Sequence, residues 1–270
     1  MTSKPIIAAT RMFRAAAALA IAATGSAALA ADPPSFTFDP GAVGLTGTSV
    51  TANNILISDY SKVTFTSATE FTETGYLVMT GFQSASDPNI AVPGLGMYVS
   101  FTASGTTVGT DPAASPTVAT FSQLSYTMYG YNDVGTATFG FDAGGNAVET
   151  AANEIVLATG SLLSGGGSTL PDALTGKFYA FAGASLGFVV DPTNAAFFAA
   201  PNPFYDVALT TFANTPDTIT PFAEGGGFFI TQGGGKISFQ APVPEPGTYA
   251  LMFAGLAAVG YVTRRRRSPA

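Results

Sequence analysis

The sequence contains no histidine, no cysteine and no tryptophan. Without histidine or cysteine there is no Ser-His-Asp triad, no thiol nucleophile and no imidazole or thiolate metal site. No disulfide braces the fold, so a hydrophobic core must carry it. A body spanning residues 31–242 is long enough to bury one. There is also no P-loop and no dinucleotide-binding fingerprint. Three lysines leave a Ser-Lys pair formally open, but nothing in the sequence marks one.

Basic residues are scarce and unevenly placed. Of ten, Lys4, Arg11 and Arg14 precede residue 15, and Arg264, Arg265, Arg266 and Arg267 fall within the last seven positions. Only Lys62, Lys177 and Lys236 lie between, against all 17 acidic residues, which leaves this middle at −14. Such a body repels nucleic acid and anionic lipid headgroups, so neither is an expected partner. The basic ends read as topology signals rather than binding surfaces.

Arg11 and Arg14 precede a short apolar run, residues 15–23, and Ala28-Leu29-Ala30 supplies the small residues of a cleavage site. Residues 1–30 therefore read as a secretory signal peptide cut after Ala30, with Ala28 and Ala30 in the small-residue positions. Met1 and Met12 are both possible starts, since either leaves a complete signal. A buried alanine-rich helix is the competing reading. No twin-arginine pair is present, which points to the general secretion route.

At the other end, residues 243–270 hold three parts in order. These are Pro244-Glu245-Pro246, an apolar run over 247–263, and Arg264 to Arg267. The run would measure about 25 Å as a helix, just enough to span a bilayer core. Pro246 suits a first helical turn. The arginines stay cytoplasmic by the positive-inside rule and halt translocation. A plain membrane anchor needs only the helix and the arginines, so the Pro-Glu-Pro motif distinguishes the two readings. This tail resembles the PEP-CTERM sorting signal of exported Gram-negative bacterial proteins. The resemblance implies an exosortase partner that cuts near Pro244-Glu245-Pro246. It also implies a precursor held transiently in the inner membrane and a product at the cell surface or in the extracellular matrix.

Between the signals the pattern is β. Residues 62–66, 98–103 and 123–128 alternate polar and apolar, as do the stretches around Phe139 and Phe141 and around Ile237 and Phe239. Turn formers punctuate the runs: Asp87-Pro88-Asn89, Asp111-Pro112, Gly144-Gly145-Asn146, Gly165-Gly166-Gly167, Asp191-Pro192 and Gly225-Gly226-Gly227. FFITQGGGKISF, residues 228–239, reads as a hairpin with a glycine-rich loop. No internal repeat is visible. Roughly a dozen strands without a helical period predict an all-β, antiparallel two-layer sandwich or jelly roll over 31–242. Its expected core includes Phe65, Phe101, Tyr126, Phe139, Phe141, Ile237 and Phe239.

Some residues invite a chemical reading. Asp133, Asp142, Asn146 and Glu149 offer the oxygen ligands that calcium takes. Their spacing is not an EF-hand loop, and Asx residues beside glycine are ordinary turn chemistry. No cofactor is otherwise expected. Glu70 and Glu73 supply the two carboxylates a glycosidase needs. Residues three apart on a strand face opposite ways, however, so solvated edge charges are the preferred reading. Tyr76, Tyr129, Tyr131 and Tyr205 are candidates for stacking on sugar rings, or for half-buried rings with wet hydroxyls.

The stretches 36–61 (FTFDPGAVGLTGTSVTANNILISDYS), 71–82 (FTETGYLVMTGF), 121–131 (FSQLSYTMYGY), 202–215 (NPFYDVALTTFANT) and 227–239 (GFFITQGGGKISF) together resemble flocculation-associated PEP-CTERM proteins. The resemblance implies a non-enzymatic surface or matrix protein that works with secreted exopolysaccharide in flocs and biofilms, with no catalytic residues to carry over. The alternative is a carboxylate-dependent glycan hydrolase or lyase acting on the same matrix.

Overall fold

The computed structural model describes residues 32–132, 134–223 and 225–240. The expected signal peptide with Ala28 and Ala30 lies outside the described residues. So do the sorting motif Pro244, Glu245 and Pro246, the apolar run and Arg264 to Arg267.

Eight long strands run in chain order as β1 (Asn54–Phe65), β2 (Glu70–Gln83), β3 (Gly96–Val108), β4 (Thr117–Tyr131), β5 (Ile155–Asp172), β6 (Lys177–Gly187), β7 (Val207–Asn214) and β8 (Gly227–Gln240). Each pairs antiparallel with its neighbour in sequence. The last closes on the first, from Gly227 opposite Thr64 to Ser238 opposite Asn54. The body is thus an up-and-down barrel with no free edge among these strands.

This corrects the expected two-layer sandwich or jelly roll. The antiparallel, nearly all-β character is as expected, but the sheet curls shut on itself. Two features permit closure. Bulges interrupt five of the eight seams, and each adds local twist. Glycines also lie inside strands rather than between them. Gly165-Gly166-Gly167, expected as a turn, sits within β5, where a Cβ on Gly166 would come 2.5 Å from the Ala119 carbonyl. Likewise, 228–239 is no hairpin but one continuous strand, bulged at Gln232, with Gly233 to Gly235 inside it. Glycine in a strand marks close backbone approach and sharp curvature. The other expected turns do fall between strands, except that Gly227 already begins β8.

Alternation sets the faces. Along β1, Ile55, Ile57, Asp59, Ser61 and Val63 are buried, while Leu56, Ser58, Tyr60, Lys62 and Thr64 are not. On β2 to β4 the outer positions include Thr72, Thr74, Thr102 and Ser125, and the Thr102 and Ser125 hydroxyls lie 3.1 Å apart. Apart from Glu73, Thr107 and Thr117, these strands are apolar inside and hydroxyl-rich outside, the inverse of a transmembrane barrel.

Strand alternation puts the connections 66–69, 109–116, 173–176 and 215–226 at one end of the barrel. The opposite end is plugged. A three-stranded sheet of Phe198–Ala200, Phe36–Phe38 and Val50–Ala52 packs there. Phe36, Phe188 and Phe204 surround Phe239 at ring-centroid distances of 5.0 to 5.1 Å. Gln240 ends β8 at this plugged end. A second apolar cluster (Val63, Phe71, Phe178, Ile219, Phe228 and Ile230) lies toward the other end.

Of the expected core, Phe101, Tyr126, Ile237 and Phe239 are buried, and Phe65 is half-buried against the second cluster. Phe139 and Phe141 are not in the barrel core. They lie on a short hairpin, Phe139–Phe141 with Ala147–Glu149, inserted between β4 and β5 and folded against the outer wall. Period two identified the strand but not the layer it joins.

Candidate functional site

Two constellations stand out, one outside the barrel and one inside. The outer one is a row of tyrosines crossing four strands. Tyr60 on β1 is the cross-strand partner of Tyr76 on β2, and Tyr98 on β3 is that of Tyr129 on β4. Tyr98 and Tyr129 stack at 4.9 Å, and Tyr76 meets Tyr98 edge-on at 5.7 Å. Such cross-strand aromatic pairs also stabilise the sheet. The hairpin lays Phe139 over the middle of the row, 5.2 Å from Tyr98 and 5.9 Å from Tyr76. Tyr98 is therefore buried, while Tyr60, Tyr76 and Tyr129 stay half-exposed around it.

Carboxylates edge this row. The Tyr98 hydroxyl donates to Glu154 Oε2. Burial, that hydrogen bond and the charges of Glu149 and Glu154 hold the Tyr98 phenol protonated far above its ordinary range. Burial, then Glu149 and Glu154, push Tyr76 up as well. The outer site thus joins half-exposed ring faces to acceptor oxygens. Of the expected stacking tyrosines, Tyr76 and Tyr129 belong to it. Tyr131 packs beneath it, 6.0 Å from Tyr98 and 6.3 Å from Phe139, but is buried and offers no open face; Tyr205 lies apart, buried and donating to the Ser35 carbonyl at 2.8 Å.

Of the calcium candidates that are described, Asp142 and Asn146 meet, and Glu149 does not join them. Asp142 closes the hairpin turn, accepting from the backbone N–H groups of Gly144 and Asn146 at 2.8 Å and from the Asn146 side chain at 3.0 Å. These bonds, Asn146's backbone first, hold its carboxyl below the usual range. Glu149 sits at the far end of the hairpin and accepts from Ala151 N–H at 2.6 Å. Asp133 lies outside the described residues. Among the described residues no three acidic side chains gather as a metal site.

The inner constellation was not anticipated. Glu73, expected as a solvated edge charge, points into the barrel, while Glu70 is exposed at the start of β2. Asp59 on β1 faces the same interior. Asp59 is 3% exposed and accepts from Asn214 Nδ2 at 3.4 Å. Burial first, then the charge of Glu73, raises the Asp59 carboxyl well above its ordinary range. Burial pushes Glu73 up to about 7. The Ser61 hydroxyl, near both but without a well-formed hydrogen bond to either, offsets part of the rise. Glu73 keeps some accessible surface, but that surface faces an internal cavity of about 120 Å³. The signal available in the sequence was Asp59 at an inward position of an otherwise apolar alternation.

Residues 242–267 match the family model of the PEP-CTERM protein-sorting motif. No curated protein and no solved structure matches the chain. The chain ends its described fold at Gln240 and passes at once into this motif, which indicates an extracellular protein sorted and processed by an exosortase.

Proposed function

We propose that this is a non-enzymatic surface or matrix protein of the flocculation-associated kind, which holds cells in exopolysaccharide. The sorting motif at 242–267 carries the reading, because it directs the body to the compartment where such a matrix lies. The protein enters by the general secretion route and loses residues 1–30. The run 247–263 holds the precursor in the inner membrane until cleavage near Pro244-Glu245-Pro246. The half-exposed Tyr60, Tyr76 and Tyr129, with Glu149 and Glu154 beside them, are the surface we assign to glycan. Rings supply stacking faces and carboxylates accept sugar hydroxyls. Each contact is weak, and many copies on one surface make adhesion strong. The body's acidity keeps free copies soluble and apart.

A matrix glycan hydrolase or lyase would use the Asp59–Glu73 pair. That pair sits within phenylalanine, leucine and valine walls, where sugar hydroxyls would lose their hydrogen bonds to water. The adhesin reading is therefore preferred. The test deletes the gene and follows settling of the culture. Wild type restores aggregation, and a form with alanine at 244, 245 and 246 restores little. A deletion strain that settles normally removes the adhesin reading.

A further inference from the structure

The cavity inside the barrel is lined by none of the residues assigned to glycan. Its volume is about 120 Å³, and its walls include Phe71, Leu77, Phe101, Tyr126, Phe188 and Phe212. Cavities of this scale with apolar walls take benzene-sized molecules, and small eight-stranded barrels have room for one small ligand.

Asp59 on β1, Glu73 near the start of β2 and Asn214 at the end of β7 break the apolar lining, whereas the threonines there, Thr107, Thr117, Thr169 and Thr210, have committed their hydroxyls to hydrogen bonds. Asp59 and Asn214 are each 3% exposed, yet Asp59 Oδ1 and Asn214 Oδ1 have no hydrogen-bond partner, and neither has the nearby buried Ser61 Oγ. The two Oδ1 atoms are acceptors, and the single Ser61 O–H can donate to one acceptor only. Buried polar atoms are almost always satisfied, so a pair of orphan acceptors facing a cavity asks for a donor. The remaining ionisable group in the lining, Tyr126, has already committed its hydroxyl to the Gly187 carbonyl at 2.9 Å.

The protein supplies no cation of its own here. Three lysines are its whole basic complement among the described residues. Lys62 points outward over Phe222 and Phe229, Lys177 pairs with Asp217 on the surface at 3.1 Å, and Lys236 is exposed. Two carboxyls thus share an apolar chamber without a counter-charge. A bare divalent ion is a poor match, since it wants about six or more oxygens and this chamber offers few. An ammonium group has three donors and one charge, and an apolar body attached to it would meet the aromatic walls.

We propose that the barrel cavity binds a small organic amine. Its ammonium lies among Asp59, Glu73 and Asn214, and its apolar part packs against the phenylalanine walls.

The test titrates the full chain at pH 8 with benzylamine, toluene, benzoate and calcium chloride, using calorimetry. Benzylamine should bind about tenfold tighter than toluene, and benzoate should not bind. Asp59→Asn with Glu73→Gln keeps the shape and removes the charge. It should bring benzylamine within about twofold of toluene while toluene binding persists. Because this change removes buried like charges, its Tm should equal or exceed wild type, which separates a lost site from a lost fold. Ala184→Leu fills cavity space without touching the carboxyls and should abolish both ligands. Equal affinity for benzylamine and toluene in wild type would overturn the proposal, as would benzylamine binding that survives both variants. Calcium binding without any preference for benzylamine, or no binding of any probe, would also overturn it.

Discussion

Asn214 on β7 donates to Asp59 on β1 across 3.4 Å, although β8 lies between their strands. The reach is possible because Gly233, at the bulge of β8, has no side chain. A Cβ there would collide with the Asn214 amide and crowd Ile230. Gly233→Ala should therefore rotate Asn214 away and leave Asp59 with no donor. The expected cost is on the order of 1–3 kcal/mol, read as a lower midpoint in urea unfolding. Gly140→Ala, where a Cβ meets open space on the outer hairpin strand and φ is ordinary, is the control for simple loss of a strand glycine.

The buried carboxyl pair predicts the direction of pH dependence. Burial raises Glu73 to about 7 in the fold from an ordinary value near 4.5, and Asp59 moves the same way. The folded state therefore holds more protons than the unfolded chain between these values, so stability falls as pH rises through that window. The cavity lining presents no basic group to reverse the sign. Without ligand, the protein should unfold more easily at pH 8 than at pH 5, by on the order of 3 kcal/mol for Glu73. Asp59→Asn with Glu73→Gln should flatten the difference. Thermal melts at the two pH values decide it, and a wild type more stable at pH 8 would contradict the account.

The tyrosines separate binding from folding. Tyr76→Ala with Tyr129→Ala removes half-exposed rings and should lower retention on purified exopolysaccharide by about tenfold. Tyr131→Ala removes a buried ring that fills the space over Gly96, and should instead cost about 3 kcal/mol or more of stability. Pull-down and melting, measured on the same samples, distinguish the two.

Processing has a mass signature. Material recovered from cells with an active exosortase should start near Ala31 and stop near Glu245. A form with alanine at 244, 245 and 246 should keep Arg264 to Arg267. Intact-mass measurement checks both ends, and a wild-type mass that retains the arginines would leave a simple membrane anchor.

Much was legible because it is local. The sorting signal is written as linear order: motif, apolar run and charge. The strands around Phe101, Tyr126 and Phe239 followed from alternation, since a strand's faces repeat every second residue whatever it packs against. Gly144-Gly145-Asn146 was legible as a turn because Asp142 closes it with bonds no more than four residues long.

What the sequence by itself determined is therefore the address, the β character and the missing catalytic residue types. The tertiary structure alone decided closure, layer and pairing. Gly165 to Gly167 and Gly233 to Gly235 look like turns until other strands press against them. Only the curvature of a closed sheet brings the Ala119 carbonyl or Asn214 to within a side chain's width of those backbones. Phe139 and Phe141 alternate like core residues but cover the outer wall, because alternation defines two faces without saying which one is inside. Asp59, Glu73 and Asn214 are 14 and 141 residues apart along the chain, so no local pattern joins them. They meet because β1 pairs with both β2 and β8, and a glycine in β8 lets β7 reach past it.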